Sequence, residues 1–463
     1  MRRLLTILFL VIANAMYAQD VIATLDPKYG VGAADIFFVG DTMLVRTTYD
    51  KGKTARQGSE SAWYSNDKKI AEVDLSALGS DALTGVMKYG DSLYYYSAEG
   101  KGKNVNVDIY RSAGLGTAAF ASKIPIDGVL VNAAENGGKF RFITWERKTT
   151  SFHLYEFDRG KLANTRDIKM PRDLSQIREN DLTFIEFGNQ SRIGTSEPPL
   201  KIFIYGEMFC VVYDDTWTEI TPPEREGFRT MVFRKNLVTG KEDNDLFYTA
   251  DKYNFKSYLA GENGKHLYRF VATKDEAFLY VHDLDSNKVL SKQRLEPVTD
   301  EGAVQRNGSE HTIMHSNLRD FKGMRSYDDF EMGIIVDDYN GQSVVTYGFI
   351  SHYKGTALFI GGPMLAASVI SYIIRSAMIK LRNDPSELTY IYLIGNPDSG
   401  FTRLQSNKAN DFIKKRVDDF EFKIAAEGVV DYFSMFAGDK YWIAVHSLKN
   451  SSGFIITKFA LKP

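Results

Sequence analysis

The sequence has little cysteine and no excess of either charge, and each shortage excludes a class of protein. Cys210 is the only cysteine, which excludes an intrachain disulfide and a cysteine-rich zinc site. The 57 Lys and Arg residues nearly balance the 59 Asp and Glu residues, so there is no basic footprint for nucleic acid. No phosphate-cradling glycine loop, Gly-x-Ser-x-Gly elbow or dinucleotide fingerprint occurs. We therefore predict neither a cofactor nor a nucleic-acid partner.

The first eighteen residues have the three-part layout of a secretory signal peptide. Arg2 and Arg3 form a basic start, and nine largely apolar residues follow at 4–12 (LLTILFLVI). Small residues then lead to the predicted cleavage site after Ala18, with Ala15 as the alternative. The apolar run is too short to span a bilayer. Cleavage after Ala18 would leave 445 residues, with 55 basic and 59 acidic side chains.

An exported chain without disulfides is more typical of a bacterial envelope than of a eukaryotic secretory route. The Ala-Gln junction resembles the signal peptides of some Gram-negative groups. The residue directly after the cleavage site is not a cysteine, so we predict no lipoprotein anchor. The expected location is the periplasm or the cell exterior. Cys210 lies in an apolar run, which predicts a buried thiol with a raised pKa rather than a nucleophile.

Short runs rich in aromatic and β-branched residues, separated by Gly, Asp, Asn and Lys, dominate the chain after residue 20. Their alternation predicts strands. Examples are Thr42 to Thr47, Ser92 to Ser97, Lys139 to Thr144, Phe152 to Phe157, Ala277 to His282 and Tyr441 to Val445. The aromatic fraction, 13% of the residues, is explained mainly by the packing of these strands.

A degenerate repeat selects one all-β architecture. A glycine turn followed by an alternating strand recurs, with its glycines at 40, 90, 138, 206, 264 and 438. A second, polar turn often follows, as at 65–69, 158–161 and 285–288. Four strands in each repeat of about 50 to 60 residues are typical of a β-propeller. We predict one propeller over 19–463 with seven blades, some of them carrying insertions; eight blades fit the spacing almost as well. Two β-rich domains divided near 180 or 300 are the alternative.

The two chain ends are predicted to meet. The strand at 21–25 could complete a sheet with residues 453–461, which would close the ring and remove an exposed edge. No Trp-Asp pair, kelch-like glycine recurrence or sialidase box is present, so the sequence points to no named propeller family.

Two segments depart from the strand pattern. Residues 356–374 contain no charge and could form two buried strands around Gly361-Gly362-Pro363, a packed helix inserted near 356–381, or a membrane span. The Gly-Gly-Pro break disfavours the span. Residues 411–426 fit both a helix and a strand, because Ile413, Val417, Phe420 and Ile424 share a helical face while part of the run alternates.

Two residue groups are weak candidates for a site. Asp328-Asp329 and Asp337-Asp338 are paired carboxylates that could serve as acid and base or hold calcium. His311 and His315 are four residues apart and would lie on one face of a helix, as in some metal sites. For both groups, solvated loop residues are the preferred interpretation, and we predict no metal.

The absence of catalytic motifs favours a non-catalytic binding or scaffold module of the bacterial envelope, with an unknown protein or glycan ligand. The alternative is a secreted or periplasmic hydrolase acting on glycans, with its carboxylates gathered at the channel of the propeller.

Overall fold

Strands make up nearly all of the described structure. The computed structural model describes residues 19–25, 30–50, 57–78, 83–101, 104–136, 138–177, 182–185, 200–215, 228–249, 254–272, 276–295, 302–306, 309–313, 330–339, 341–351, 387–403, 420, 424, 430–437, 441–448 and 454–460. It divides into two compact units, of which unit 1 is Met1–Ser191 with Asp411–Pro463 and unit 2 is Arg192–Asn410.

The strands of the first part of the chain are β1 (Gln19–Leu25), β2 (Gly30–Val39), β3 (Thr42–Asp50), β4 (Gln57–Ser65), β5 (Lys68–Glu72), β6 (Leu83–Tyr89), β7 (Ser92–Lys101), β8 (Asn104–Ala113), β9 (Ala119–Asp127), β10 (Val129–Asn136), β11 (Lys139–Glu146), β12 (Ser151–Asp158), β13 (Lys161–Lys169) and β14 (Leu182–Ile185).

The strands of the second part are β15 (Leu200–Tyr205), β16 (Met208–Asp215), β17 (Phe228–Asn236), β18 (Glu242–Thr249), β19 (Asn254–Ala260), β20 (His266–Ala272), β21 (Ala277–Asp283), β22 (Lys288–Leu295), β23 (Gly302–Arg306), β24 (Ser309–Ile313), β25 (Phe330–Tyr339), β26 (Gln342–Ser351), β27 (Glu387–Asn396), β28 (Gly400–Arg403), β29 (Val430–Ala437), β30 (Tyr441–Leu448) and β31 (Phe454–Ala460). Short 3₁₀ turns occur at Ser76–Leu78 and Glu262–Gly264.

Successive strands pair antiparallel and form seven sheets among the described residues. Unit 1 holds sheet 1 (β2 to β5), sheet 2 (β6 to β9), sheet 3 (β10 to β13) and sheet 7 (β29, β30, β31 and β1). Unit 2 holds sheet 4 (β15 to β18), sheet 5 (β19 to β22) and sheet 6 (β25 to β28, with the hairpin β23–β24 added at β27). This succession of four-stranded meanders is the β-propeller fold, as the repeat predicted.

The predicted glycine turns connect the first two strands of their sheets. In sheets 1 and 2 the loop has only two residues, because Val39 pairs with Thr42 and Tyr89 with Ser92. Gly40 and Gly90 stand first in these loops with φ of 58° and 59°. A left-handed residue at this position matches the twist of the flanking strands, and glycine adopts it at no steric cost.

The described strands form seven sheets, in agreement with the seven-bladed prediction, and no eighth sheet occurs among them. Between sheets 5 and 7 the described residues form one sheet, sheet 6. Its turn glycine is Gly341, which lies between the paired residues Tyr339 and Gln342 and does not belong to the predicted glycine repeat.

The predicted pairing between the two ends of the chain is confirmed. Strand β1 pairs antiparallel with β31, with Asp20 opposite Lys458 and Leu25 opposite Phe454. Sheet 7 therefore combines three strands from the C-terminal part of the chain with one from the N-terminal part. The ammonium of Lys458 lies 3.0 Å from the Asp67 carboxylate, in the outer turn of sheet 1.

Aromatic and aliphatic side chains fill the spaces between the sheets of unit 1. One cluster joins sheets 1 and 2 through residues such as Trp63 and Tyr95, both fully buried. Another joins sheets 2 and 3, where the Tyr96 ring stacks on Phe140 with centroids 4.5 Å apart. The third joins sheets 7 and 1. These clusters confirm strand packing as the main role of the aromatic residues in this unit.

The two irregular segments have different outcomes. Residues 356–374 lie outside the described residues, so the three interpretations of that run remain predictions. In the part of the chain that the structure describes, no helix is long and apolar enough to cross a membrane. From the segment 411–426, Phe420 and Ile424 are helical and buried, in agreement with the helical alternative at these two positions.

Candidate functional site

The described structure includes three of the six sequence-predicted site residues, Asp337, Asp338 and His311. Asp337 and Asp338 lie on strand β25, opposite Val344 and Ser343 of β26. Asp328 and Asp329 lie outside the described residues. His311 lies on strand β24, opposite Val304, and His315 lies outside the described residues. The carboxylate and histidine candidates thus stay predictions. Among the described side chains, no group of three His, Cys, Asp or Glu could hold a metal ion.

Cys210 behaves as predicted. Its side chain is fully buried on β16, and burial raises the pKa of the thiol to about 12, with the charge of Arg234 opposing the shift. A thiol that stays protonated at neutral pH is a poor nucleophile. It therefore acts as a small apolar side chain in sheet 4.

A buried polar cluster joins sheets 4 and 5. We call it the Asp214 cluster, and its members are Lys201 (β15), Asp214 (β16), Thr230 (β17) and Ser257 (β19). All four side chains are 2% exposed or less. Such polar groups are stable in an interior only when their hydrogen bonds are made.

The carboxylate of Asp214 organises this cluster. It accepts a hydrogen bond from Thr230 Oγ1 at 2.8 Å and one from the Ser257 backbone N–H at 2.9 Å. Because the only hydroxyl proton of Thr230 is used there, the Ser257 hydroxyl is the donor in the 2.9 Å contact between their oxygens. Lys201 Nζ donates to the Ser257 carbonyl at 2.9 Å and lies 4.0 Å from the Asp214 carboxylate.

These contacts make the Asp214 cluster structural. It contains a serine, a lysine and a carboxylate, which are the residue types of some hydrolytic sites. However, Lys201 bonds to the Ser257 carbonyl rather than to its hydroxyl, and no member is open to solvent. The cluster therefore supplies side-chain bonds from sheet 4 to the inner strand of sheet 5.

Sheet 3 contains a second buried carboxylate, Glu156 on β12. Its Oε1 accepts hydrogen bonds from Arg141, whose Nε and Nη2 both lie at 2.9 Å, and its Oε2 accepts one from Asn164 at 3.2 Å. Burial opposes ionisation of Glu156. The positive charge and hydrogen bonds of Arg141, with help from Asn164 and Lys139, outweigh it and lower the pKa of the carboxyl group. These contacts bind β12 to its two neighbours.

His153, on the same strand, lies between two carboxylates. Its Nδ1 is 2.7 Å from the Asp167 carboxylate on β13, and its Nε2 is 3.6 Å from the Glu146 carboxylate on β11. Thr149 donates a hydrogen bond to Glu146 at 3.0 Å. The arrangement links three strands across the end of sheet 3, and the Thr149 hydroxyl donates to Glu146 rather than to His153.

The described side chains best suited to contact a ligand form a line on β21. We call Phe278, Tyr280 and His282 the aromatic row. They alternate along the strand, so they share one face of sheet 5. Ring centroids are 6.0 Å apart for Phe278 and Tyr280 and 6.2 Å apart for Tyr280 and His282. All three are partly exposed, whereas the alternate residues Leu279 and Val281 are buried.

Neighbouring strands add positive charge and apolar surface to the aromatic row. Tyr280 lies opposite Lys292 of β22, and Phe278 lies opposite Arg294. Lys292 Nζ is 5.2 Å from the Phe278 ring centroid and 5.4 Å from that of Tyr280, within range of a cation–π interaction. Phe247 of β18, in sheet 4, packs on His282 with centroids 4.7 Å apart.

The pKa values of two groups beside the aromatic row, His282 and Arg269, are lowered, which favours their neutral forms. Burial lowers the pKa of His282 to about 4, and the positive charge of Arg269 lowers it further. Burial also lowers the pKa of Arg269 to about 10, against the charge of Asp214. The Arg269 guanidinium lies 5.9 Å from the ring centroid of Phe247 and 5.7 Å from that of Phe255. His282 is thus an uncharged imidazole at neutral pH.

Comparison with known proteins gives no family. No protein-family model matches the chain, and no curated protein matches it. The chain is similar in fold to the β-propeller domain of the Trilobed protease from Pyrococcus furiosus, with 10% identity, coverage of 94% of this chain and 97% of that one, and a TM-score of 0.37. It is also similar to the Dos1 propeller, with 10% identity, 96% and 95% coverage and a TM-score of 0.36.

A third similar structure is a putative dipeptidyl aminopeptidase IV from Bacteroides ovatus. The identity is 11% and the TM-score 0.34, and the match covers 67% of this chain but only 44% of that one. At such identities the likeness concerns the fold alone, and none of these proteins' activities carries over. The β-propeller assignment rests on the strand pairing described above.

The Asp214 cluster leads to a stability prediction. Asp214→Ala leaves the buried Lys201 ammonium without its counter-ion and the buried Ser257 backbone N–H without its acceptor, so we expect the free energy of unfolding to fall by about 3–5 kcal/mol. Urea unfolding followed by tryptophan fluorescence measures it. As a control, Glu242→Ala removes the half-exposed partner of Lys235 and should cost less than about 1 kcal/mol. Equal losses in the two variants would refute a structural role for the cluster.

Glu156 leads to a prediction on pH. Because its folded pKa lies below the ordinary value of 4.5, its ionised form stabilises the fold above that pH, and this contribution is lost as the pH falls through the folded pKa. Glu156→Gln should therefore be less stable than the native chain at pH 7, and the difference should narrow below pH 4.5. Urea midpoints from pH 7 to pH 3 test this. Asp158→Asn, mainly exposed on the same strand, serves as the control, and a difference that stays constant with pH would contradict the account.

Proposed function

We propose that this protein is an exported β-propeller of a bacterial envelope and that it works as a non-catalytic binding or scaffold module. Its described contact surface is the aromatic row with the neighbouring cations of β22. Propellers commonly present ligand sites on the loops and faces of a rigid scaffold.

One observation carries this proposal: the buried carboxylates are used within the fold, while the aromatic row is left partly exposed. Asp214 accepts hydrogen bonds from Thr230 and Ser257, and Glu156 accepts them from Arg141 and Asn164. A glycan hydrolase needs two carboxylates that face each other across an accessible pocket. Partly exposed rings beside cations suit recognition instead.

The proposed export rests on the sequence. Cleavage after Ala18 would leave Gln19, the first described residue of β1, at the N-terminus of the mature chain. Cleavage after Ala15 would leave three residues ahead of it.

Expression of the full chain in a Gram-negative host tests both parts of the proposal. We expect the protein in the periplasm or the medium, with an N-terminus at Gln19 by intact-mass measurement, and no release of reducing ends from a panel of polysaccharides. The full-length mass in the cytosolic fraction would contradict export. Hydrolysis that is lost in Asp337→Asn or Asp338→Asn would contradict the non-catalytic role and restore the hydrolase alternative.

A further inference from the structure

We propose that the aromatic row, together with Lys292 and Arg294, binds an acidic glycan, that is, a chain of sugars carrying carboxylates. This inference rests on the proposed binding function and names the class of ligand. The surface lies entirely on strands β21 and β22 of sheet 5, so a rigid hairpin positions its groups.

The rings supply a linear platform. Phe278, Tyr280 and His282 are held at every second position of one strand, with centroid spacings of 6.0 and 6.2 Å. The C–H groups on the face of a sugar ring pack on aromatic surface, and a polymer of sugars presents such faces in series. Because Val281 and Leu279 anchor β21 in the core, the rings require little ordering when a ligand binds.

The charges select an anionic sugar. Lys292 and Arg294 are exposed and make no ion pair with any described residue. The neighbouring cations of sheet 4 differ, because Arg234 pairs with Asp285 and Lys235 with Glu242. Lys292 Nζ already lies over two rings of the row. A carboxylate on a sugar that packs against the rings would therefore meet an ammonium that no carboxylate of the described residues neutralises.

His282 adds an uncharged ring to the end of the row. Burial and the positive charge of Arg269 lower its pKa to about 4, so the ring carries no charge at pH 7. Its Nε2 is buried, so His282 offers a ligand the partly exposed surface of its ring rather than that nitrogen.

Other polymers share part of this chemistry but fit less well. Single-stranded nucleic acid also stacks on aromatic rings beside cations. However, 55 basic against 59 acidic side chains in the mature chain give no excess of positive charge of the kind typical of nucleic-acid-binding proteins. An acidic peptide offers carboxylates but few flat ring faces. A uronic-acid polymer combines one carboxylate per sugar with a face and several hydroxyls.

Calorimetry with defined oligosaccharides tests the inference. We expect the mature protein to bind a galacturonate hexamer at least about 10-fold more tightly than maltohexaose, which has no carboxylates. Tyr280→Ala and Lys292→Glu should each weaken binding of the galacturonate hexamer by about 10-fold or more, which corresponds to about 1.4 kcal/mol. The matched control is Lys288→Glu, the same charge change on the same strand beside Asp283, and its effect should stay within about two-fold.

Several outcomes would overturn the inference. These are equal binding of the two sugars, equal weakening by Lys288→Glu, tighter binding of polyglutamate or of oligothymidylate, and no binding of the galacturonate hexamer at all. Lys292 is exposed, so Lys292→Glu reports on the surface even if Tyr280→Ala fails to fold. Export and the lack of hydrolysis are tested by cell fractionation, intact mass and the polysaccharide panel, and not by calorimetry. The acidic-glycan inference can therefore fail while the proposed function stands.

Discussion

The pairing of β1 with β31 is the constraint on which the rest of the fold depends. A propeller sheet is buried on both faces by its neighbours, and sheets 1 and 7 share an apolar cluster in unit 1. Without β1, sheet 7 would have three strands instead of the four found in sheets 1, 2 and 3. A strand from the N-terminal part of the chain supplies the fourth, so that residues more than 400 positions apart complete one sheet.

Between the sheets, two kinds of contact operate. In unit 1, large rings such as Trp63 and Tyr96 fill the spaces and contribute through burial. In unit 2, the Asp214 cluster adds hydrogen bonds that require a defined geometry between sheets 4 and 5. A satisfied buried network of this kind gives more to the uniqueness of the packing than to its total free energy. Sheet 5 also carries the aromatic row, on strand β21.

Much of the fold could be predicted from the sequence because strands and turns depend on residues that are close together in the chain. Alternation marked the strands, and Gly40 and Gly90 marked their turns, since both the two-residue period and the left-handed residue are local requirements. The turn at Gly341 could not be predicted from the repeat, because its neighbours Asn340 and Gln342 do not match the Gly-Asp pattern. The sequence alone therefore allowed either seven or eight blades.

The candidate site was harder to predict, and the reason is geometric. The pattern Phe278-x-Tyr280-x-His282 identified a strand, but it gave no sign that this face would stay partly exposed. Exposure depends on how far the neighbouring β18 covers it, which is a non-local property. The register with Lys292 could not be read from the turn either, because the pairing shifts by one residue between Val281 and His282. The register at the turn, continued without this bulge, would place Tyr280 opposite Ser291. The clusters around Asp214 and Glu156 join residues that have no shared motif in the sequence.

Backbone hydrogen exchange of the mature protein, measured by mass spectrometry, tests the central claim most directly. If β1 completes sheet 7, the amides of Gln19–Leu25 that bond to β31 should exchange as slowly as those of Phe454–Ala460, while the amides on the outer side of this edge strand exchange fast. Rapid exchange of every amide in Gln19–Leu25 beside slow exchange at Phe454–Ala460 would show that the N-terminal strand is not part of the sheet. The pairing of β1 with β31 would then be wrong.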